Sequence, residues 1–210
     1  YNMQDRSREF QEAIIKDKAP VINVIKGRRA GGTSILFQLV NLKDPRNVVY
    51  VTKLERMRET VRQRLIGHLN EYAAEIDNNT YNKITYKLPN DHMGQKRVVY
   101  LYAKEQFNTE IQRDIREFDK IDHIIFDEVE KQYVNHEYIS SPQKIFVISP
   151  GTSEESYYVV PSINAPDMDR ETLKEYSDMI GGKNYKADIW AGLFLPEDTD
   201  YDLIKECYDD

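Results

Sequence analysis

The run VINVIKGRRAGGTSILFQLV, residues 21–40, decides how this chain folds. Val21-Ile22-Asn23-Val24-Ile25 is short, apolar and rich in β-branched residues, which predicts a strand buried on both faces. Lys26 to Ser34 is cationic and carries Gly27, Gly31 and Gly32, which predicts a tight turn. Ile35-Leu36-Phe37-Gln38-Leu39-Val40-Asn41-Leu42 predicts a buried helix. Strand, Gly-rich turn and helix follow one another without a spacer.

Outward from that run the alternation continues. Phe10, Ile14 and Ile15 form an apolar stripe on a helix over residues 6–19, which Pro20 ends. Downstream, Asp44-Pro45 makes a turn and residues 47–52 (NVVYVT) a second buried strand. Residues 55–75 predict a long amphipathic helix with Met57, Val61, Leu65, Ile66, Leu69 and Tyr72 on its apolar face. Strands are expected at 84–88 and 98–103, joined by a polar turn holding Pro89-Asn90-Asp91. A helix at 109–118 and strands at 121–126 and 144–149 follow, then helices at 169–180 and 185–190 around Gly181-Gly182. Apolar strands alternating with helices predict an α/β fold, a mostly parallel sheet flanked by helices. In such sheets the ligand sits at the carboxyl ends of the strands. Three strand ends are polar, glycine-rich or acidic: Gly27 to Ser34, Asp127-Glu128, and Ser149 to Ser153.

Composition removes several classes. Hydrophobic residues make up 40% of the 210 and aromatics 11%, too many for a disordered chain. No run approaches the ~20 apolar residues of a membrane span, and no apolar leader is visible at the amino terminus. The single cysteine, Cys207, excludes an intrachain disulfide and a Cys-rich metal site. The four histidines stand singly, without metal-ligand spacing. Beginning at Tyr1, the numbering is expected to start inside a longer chain. The net charge of −7 is unevenly placed: residues 197–210 carry seven carboxylates against Lys205, a net of −6, which leaves −1 for residues 1–196. Overall acidity is thus a property of the tail and does not exclude a nucleic-acid partner.

Gly27 to Ser34 has the frame of a phosphate-binding P-loop. Glycines let backbone N–H groups turn inward around phosphate oxygens, and the following helix adds its positive end. Gly27, Arg28, Arg29, Ala30, Gly31, Gly32, Thr33 and Ser34 are the candidate nucleotide contacts. The usual lysine is absent. In the strict register Thr33 stands in its place with Ser34 as the hydroxyl; in the alternative register Gly32 does, with Thr33 as the hydroxyl. Lys26, Arg28 and Arg29 are the nearby cations that could substitute. Asp127 at a strand end could hold Mg²⁺, and Glu128 could polarise an attacking water. Ser149, Pro150, Gly151 and Thr152 could sense the hydrolysed phosphate. Gln11 presents a donor and an acceptor suited to an adenine edge, or is a solvent-exposed helix residue. Arg56, Arg58, Arg62 and Arg64 could face a phosphate backbone, or form a solvated face paired with Glu55 and Glu59.

In this order the elements resemble the ATPase domain of viral large terminase subunits, the DNA-packaging motors of tailed bacteriophages. The Gly-Arg-Arg-x-Gly segment is similar to that family's variant Walker A. Phe10-Gln11 resembles its adenine motif, and Ile125-Phe126-Asp127-Glu128 its Walker B with catalytic glutamate. Ile148 to Ser153 followed by Tyr157-Tyr158 is similar to its coupling motif. The match runs over most of residues 8–196. It implies a RecA-like P-loop ATPase core over residues 1–162, a small helical lid over 163–196 and an acidic connector over 197–210, without the nuclease domain. It also implies ATP and Mg²⁺ as cofactors, double-stranded DNA, portal and small terminase as partners, and a ring on the portal, with a monomer in isolation. The resemblance further implies the host cytoplasm and no membrane. Family members usually carry Lys where Gly32 stands. Three readings compete with an active motor: a degenerate nucleotide-binding module without hydrolysis, a helicase-like RecA-fold domain, and an α/β scaffold with no nucleotide site.

Overall fold

The computed structural model describes residues 11–26, 33–89, 91, 94–114, 120–140, 142–148 and 158–160. The expected lid, the acidic connector, Gly27 to Gly32 and Ser149 to Thr152 lie outside the described residues. The described residues fall into two compact units, one spanning 18–21 and 33–146, the other 11–17, 22–26, 147–148 and 158–160.

In the larger unit the strands are β2 (Val48–Thr52), β3 (Glu75–Asn79), β4 (Lys83–Lys87), β5 (Arg97–Ala103), β6 (His123–Asp127) and β7 (Gln143–Ile148), whose last two residues belong to the other unit. Their order is β3-β4-β5-β2-β6-β7. β2 runs parallel to both neighbours, with Tyr50 opposite Leu101 on one side and Ile125 on the other. Every residue of β2 is buried, as its run of β-branched and aromatic residues predicts for a strand covered on both faces. The β3–β4–β5 flank is antiparallel.

Alternation along the strands separates two faces. Val49, Val51, Tyr100, Tyr102, Ile124, Phe126 and Phe146 share one core with Phe107 and Ile111 of helix α4 (Lys104–Asp114). Phe126 stacks on Phe146 at 4.7 Å and meets the edge of Phe107 at 5.6 Å. The alternate residues, among them Tyr50, Ile125 and Asp127, point to the other face. There helix α2 (Ser34–Val40) packs, with α3 (Glu55–Glu71) beside it through Phe37 stacked on His68. Helices therefore cover both faces of a mostly parallel sheet, as expected.

Most boundaries shift by one to three residues, and three differences are larger. The helix expected at 55–75 ends at Glu71, because Ala73 adopts φ +54°. Ala74 N–H donates to Leu69 O at 2.9 Å and Ala73 N–H to Asn70 O at 3.0 Å, a Schellman ending with alanine in the glycine position. Residues 75–79 (EIDNN) then form the unforeseen β3, whose polarity suits an edge strand. Helix α4 starts at Lys104, five residues before the expected 109, directly from β5.

The carboxyl end of α2 is anchored by a cross-strand pair. Tyr86 of β4 and Arg97 of β5 lie opposite each other. The Tyr86 hydroxyl donates to Val40 O at 3.0 Å, and the Arg97 guanidinium donates to the carbonyls of Val40, Leu42 and Lys43. Arg97 is only 1% exposed; it answers the helix-terminal carbonyl of Val40, which has no intrahelical donor, and two carbonyls just past the helix end.

In the smaller unit, which holds all of β1 (Val21–Lys26) except Val21, that strand pairs in parallel with the short β8 (Tyr158–Val160). Helical residues 11–16 form α1. The Tyr158 hydroxyl donates to Asp17 Oδ2 at 2.8 Å, and burial together with that carboxylate pushes the phenol up to about 12.

Candidate functional site

Thr33 is the residue from which α2 springs, and its side chain makes no capping bond to the helix. Its hydroxyl instead lies 3.4 Å from Oδ2 of Asp127, 94 residues away in sequence. Asp127 ends β6 and is 7% exposed. The same carboxylate oxygen accepts a hydrogen bond from the buried Tyr50 hydroxyl. Strand register explains the meeting: Tyr50 lies opposite Ile125, so Asp127 is the next β6 residue on that face.

Burial, followed by the Asp127 charge and hydrogen bond, raises the Tyr50 phenol well above its ordinary value, with the Thr33 and Thr52 hydroxyls partly offsetting this. Tyr50 is therefore a neutral donor across the ordinary pH range. The donor set is a carboxylate and a hydroxyl, both hard oxygens. It suits Mg²⁺, which takes one or two protein oxygens and completes its shell with water and phosphate. Among the described residues no cluster of three or more His, Cys, Asp or Glu forms a self-sufficient metal cage.

Glu128 follows with φ +61° and an exposed side chain. Asp127 before it and Val129 after it are both buried. The left-handed conformation turns the chain so that one carboxylate points inward and the next outward. For a residue with a β-carbon it costs roughly 1–2 kcal/mol, and such strain concentrates at functional sites.

The structure thus brings together Thr33, Asp127 and Glu128 from the expected set, with half-buried Ser34 next to Thr33. The hydroxyl that meets Asp127 is that of Thr33. Gly27, Arg28, Arg29, Ala30, Gly31, Gly32, Ser149, Pro150, Gly151 and Thr152 lie outside the described residues. Gln11, in the smaller unit, is 7% exposed, so the solvent-exposed alternative for it does not hold. Tyr50 was missed, because in the sequence it is one more apolar residue of a buried strand. The available signal was that a buried phenol hydroxyl needs a partner.

Three helix arginines are engaged inside the larger unit. Arg58 is buried, donates to Gln106 Oε1 at 2.6 Å and lies over the Tyr81 ring. Arg62 grips Glu59 with two bonds, at 2.9 and 2.7 Å, and Asn79 with a third. That grip holds the Glu59 carboxyl down at about 2. Arg64 sits over the Phe37 ring. Arg62 has the expected pairing with Glu59, whereas Arg58 is buried against Gln106 and Tyr81 and Arg64 lies over Phe37, so among the described residues neither of those two shows the carboxylate pairing; Arg56 is exposed. A separate cleft of about 400 Å³ opens where β2 and β5 end, with Lys53, Glu55, Lys104, Glu105 and Glu110 in its walls.

No protein-family model matches the chain, and no curated protein matches it. Solved structures do match. A large terminase from a thermophilic bacteriophage aligns with a TM-score of 0.65 at 13% identity, over 91% of this chain and 53% of that one. The same phage protein in complex with ADP aligns with a TM-score of 0.65 at 14% identity, again over 91% and 53%. The large terminase ATPase domain of Thermus phage P74-26 gives a TM-score of 0.57 at 12% identity, over 89% of this chain and 93% of that domain. The chain spans about half the length of the first of these terminases. The likeness shows the fold, which is that of the large terminase ATPase domains.

Proposed function

We propose that this chain is the ATPase motor domain of a viral large terminase, coupling ATP hydrolysis to translocation of double-stranded DNA into a procapsid. The observation that carries the proposal is the meeting of the Thr33 hydroxyl with the Asp127 carboxylate at 3.4 Å, beside a strained, outward-facing Glu128. A hydroxyl at a helix start and an inward aspartate are suited to hold Mg²⁺, and an outward glutamate to position the attacking water. The ADP held by the similar phage terminase supports a nucleotide as the ligand.

In this reading Thr33 and Asp127 hold Mg²⁺, which neutralises phosphate charge when bound. Glu128 orients the attacking water and accepts its proton. Backbone N–H groups of Gly27 to Gly32 cradle the phosphates, Arg28 or Arg29 supplies the cation that lysine usually gives, and Gln11 reads the adenine. Ser149 to Thr152 transmit hydrolysis to the lid. The partners are double-stranded DNA, a portal and a small terminase, in a ring within the host cytoplasm. Phosphate release from Mg²⁺-ATP tests the proposal. The chain should turn over ATP, and Glu128→Ala should lose at least about a hundredfold in rate; equal rates would contradict it.

Gly32 favours a second reading, a nucleotide binder that does not hydrolyse. Restoring the usual cation with Gly32→Lys separates the two. Hydrolysis that appears only in the variant supports the binder; a rate that is unchanged or falls supports an arginine already in service.

A further inference from the structure

We propose that Tyr50 is a positioning residue for Asp127, fixing the orientation of its carboxylate toward a divalent cation. The inference rests on the nucleotide-site reading above and deepens it. Tyr50 lies in the middle of β2 among Val48, Val49 and Val51, and is 1% exposed. A phenol in such a strand loses its water and needs a protein partner. Phenylalanine would fill the same slot without that requirement. The hydroxyl is directed at one atom, Oδ2 of Asp127, which the Thr33 hydroxyl also approaches at 3.4 Å.

Two donors on one oxygen matter because the terminal torsion of an aspartate is broad and sets no orientation by itself. Packing around Asp127 fixes where the carboxylate is. The Tyr50 bond fixes how it is turned. Groups that orient a metal-binding carboxylate typically govern metal affinity by about 10–100-fold. Tyr50 comes from a strand that contributes none of the expected nucleotide contacts, so it acts through Asp127.

The test is the affinity of the whole chain for a fluorescent ADP analogue, in Mg²⁺ and in EDTA. Wild type, Tyr50→Phe, Asp127→Asn and the double variant are compared. Tyr50→Phe should cut the Mg²⁺-dependent gain in affinity by roughly tenfold or more, with the EDTA affinity unchanged. The double variant should be no weaker than Asp127→Asn alone. A Tyr50→Phe protein that keeps the full Mg²⁺-dependent gain overturns the positioning role and leaves the nucleotide site standing. A wild-type chain that binds no nucleotide, or binds it equally without Mg²⁺, overturns the nucleotide-site reading and this inference with it. If Tyr50→Phe does not fold, Tyr50→Met, which also fills the slot without a hydroxyl, takes its place. Failure of both to fold makes Tyr50 a structural residue and overturns the proposal.

Discussion

The side-chain oxygens of Thr33 and Asp127 lie 3.4 Å apart across 94 residues of sequence. One residue stands where α2 begins and the other where β6 ends. Ser34, the adjacent hydroxyl, has no such meeting with Asp127 among the described residues. Thr33→Val should therefore reduce Mg²⁺-dependent nucleotide affinity by roughly tenfold or more, while Ser34→Ala leaves it nearly unchanged. Titration of a fluorescent nucleotide in Mg²⁺ and EDTA reads both. The reverse ranking would move the site to the strict register.

Glu128 stores strain that serves its direction, not its stability. Glu128→Gly should raise stability by roughly 0.5–1 kcal/mol, the relieved strain being offset in part by the entropy of a freer unfolded chain. Glu128→Ala keeps a β-carbon at φ +61° and should gain nothing. Urea unfolding distinguishes the two variants, and both should fail to hydrolyse ATP.

Ala73 occupies the glycine position of a Schellman ending at φ +54°. Ala73→Gly should stabilise the chain by about 1 kcal/mol, seen as a higher urea midpoint with an unchanged slope. No change in the midpoint would mean that the left-handed turn costs nothing there.

Among the described residues Arg97 is the largest fully buried side chain, and it serves three carbonyls around the end of α2. Arg97→Met matches its length and deletes every donor. Val40 O keeps its bond from the Tyr86 hydroxyl, and Lys43 is exposed to water, so the loss falls mainly on the part-buried Leu42 carbonyl. At about 1–3 kcal/mol for a buried carbonyl left without a partner, a loss of roughly 1–3 kcal/mol is expected in chemical unfolding. Arg97→Lys should fall between, because one ammonium cannot span the fork of the guanidinium.

Acidification should destabilise the fold through its histidines. Burial, aided at His123 by the Arg46 guanidinium and at His136 by Lys144, lowers the pKa values of His68, His123 and His136 below the ordinary 6.5. Arg46 can only donate, so Nε2 of His123 accepts from it at 2.9 Å and Nδ1–H donates to Gln143 Oε1 at 2.9 Å. That ring must be neutral. Below about pH 6.5 the unfolded chain binds more protons than the folded one, so stability falls with pH until the folded-state values are passed. Above about pH 6.5 these groups contribute no slope. Urea midpoints at about pH 7.5 and 5.5, on either side of that value, should show the decline, and His123→Gln should flatten it.

Much of the fold was legible because burial on both faces leaves an unmistakable pattern. VINVIK, VVYVT and HIIFD are runs dominated by apolar and β-branched residues, and each forms a strand. The alternation placed Asp127 at a strand end and Thr33 at a helix start without further help. The failures have physical causes. EIDNN at 75–79 carries one apolar residue, because an edge strand buries little and its pairing with β4 decides its state. The end of α3 lacked its usual glycine, so the amphipathic pattern ran on past Ala73. Tyr50 and Arg97 were hidden because polar groups inside an apolar context are recognisable only through their partners, and those are 77 and about 55 residues away.

The most direct test is the position of a divalent cation in crystals grown with Mn²⁺ and ADP, located by its anomalous scattering. The account predicts a single strong peak bound by the Thr33 hydroxyl and the Asp127 carboxylate, beside the nucleotide phosphates. Nucleotide bound with the cation elsewhere, or no cation at Thr33 and Asp127, would contradict it.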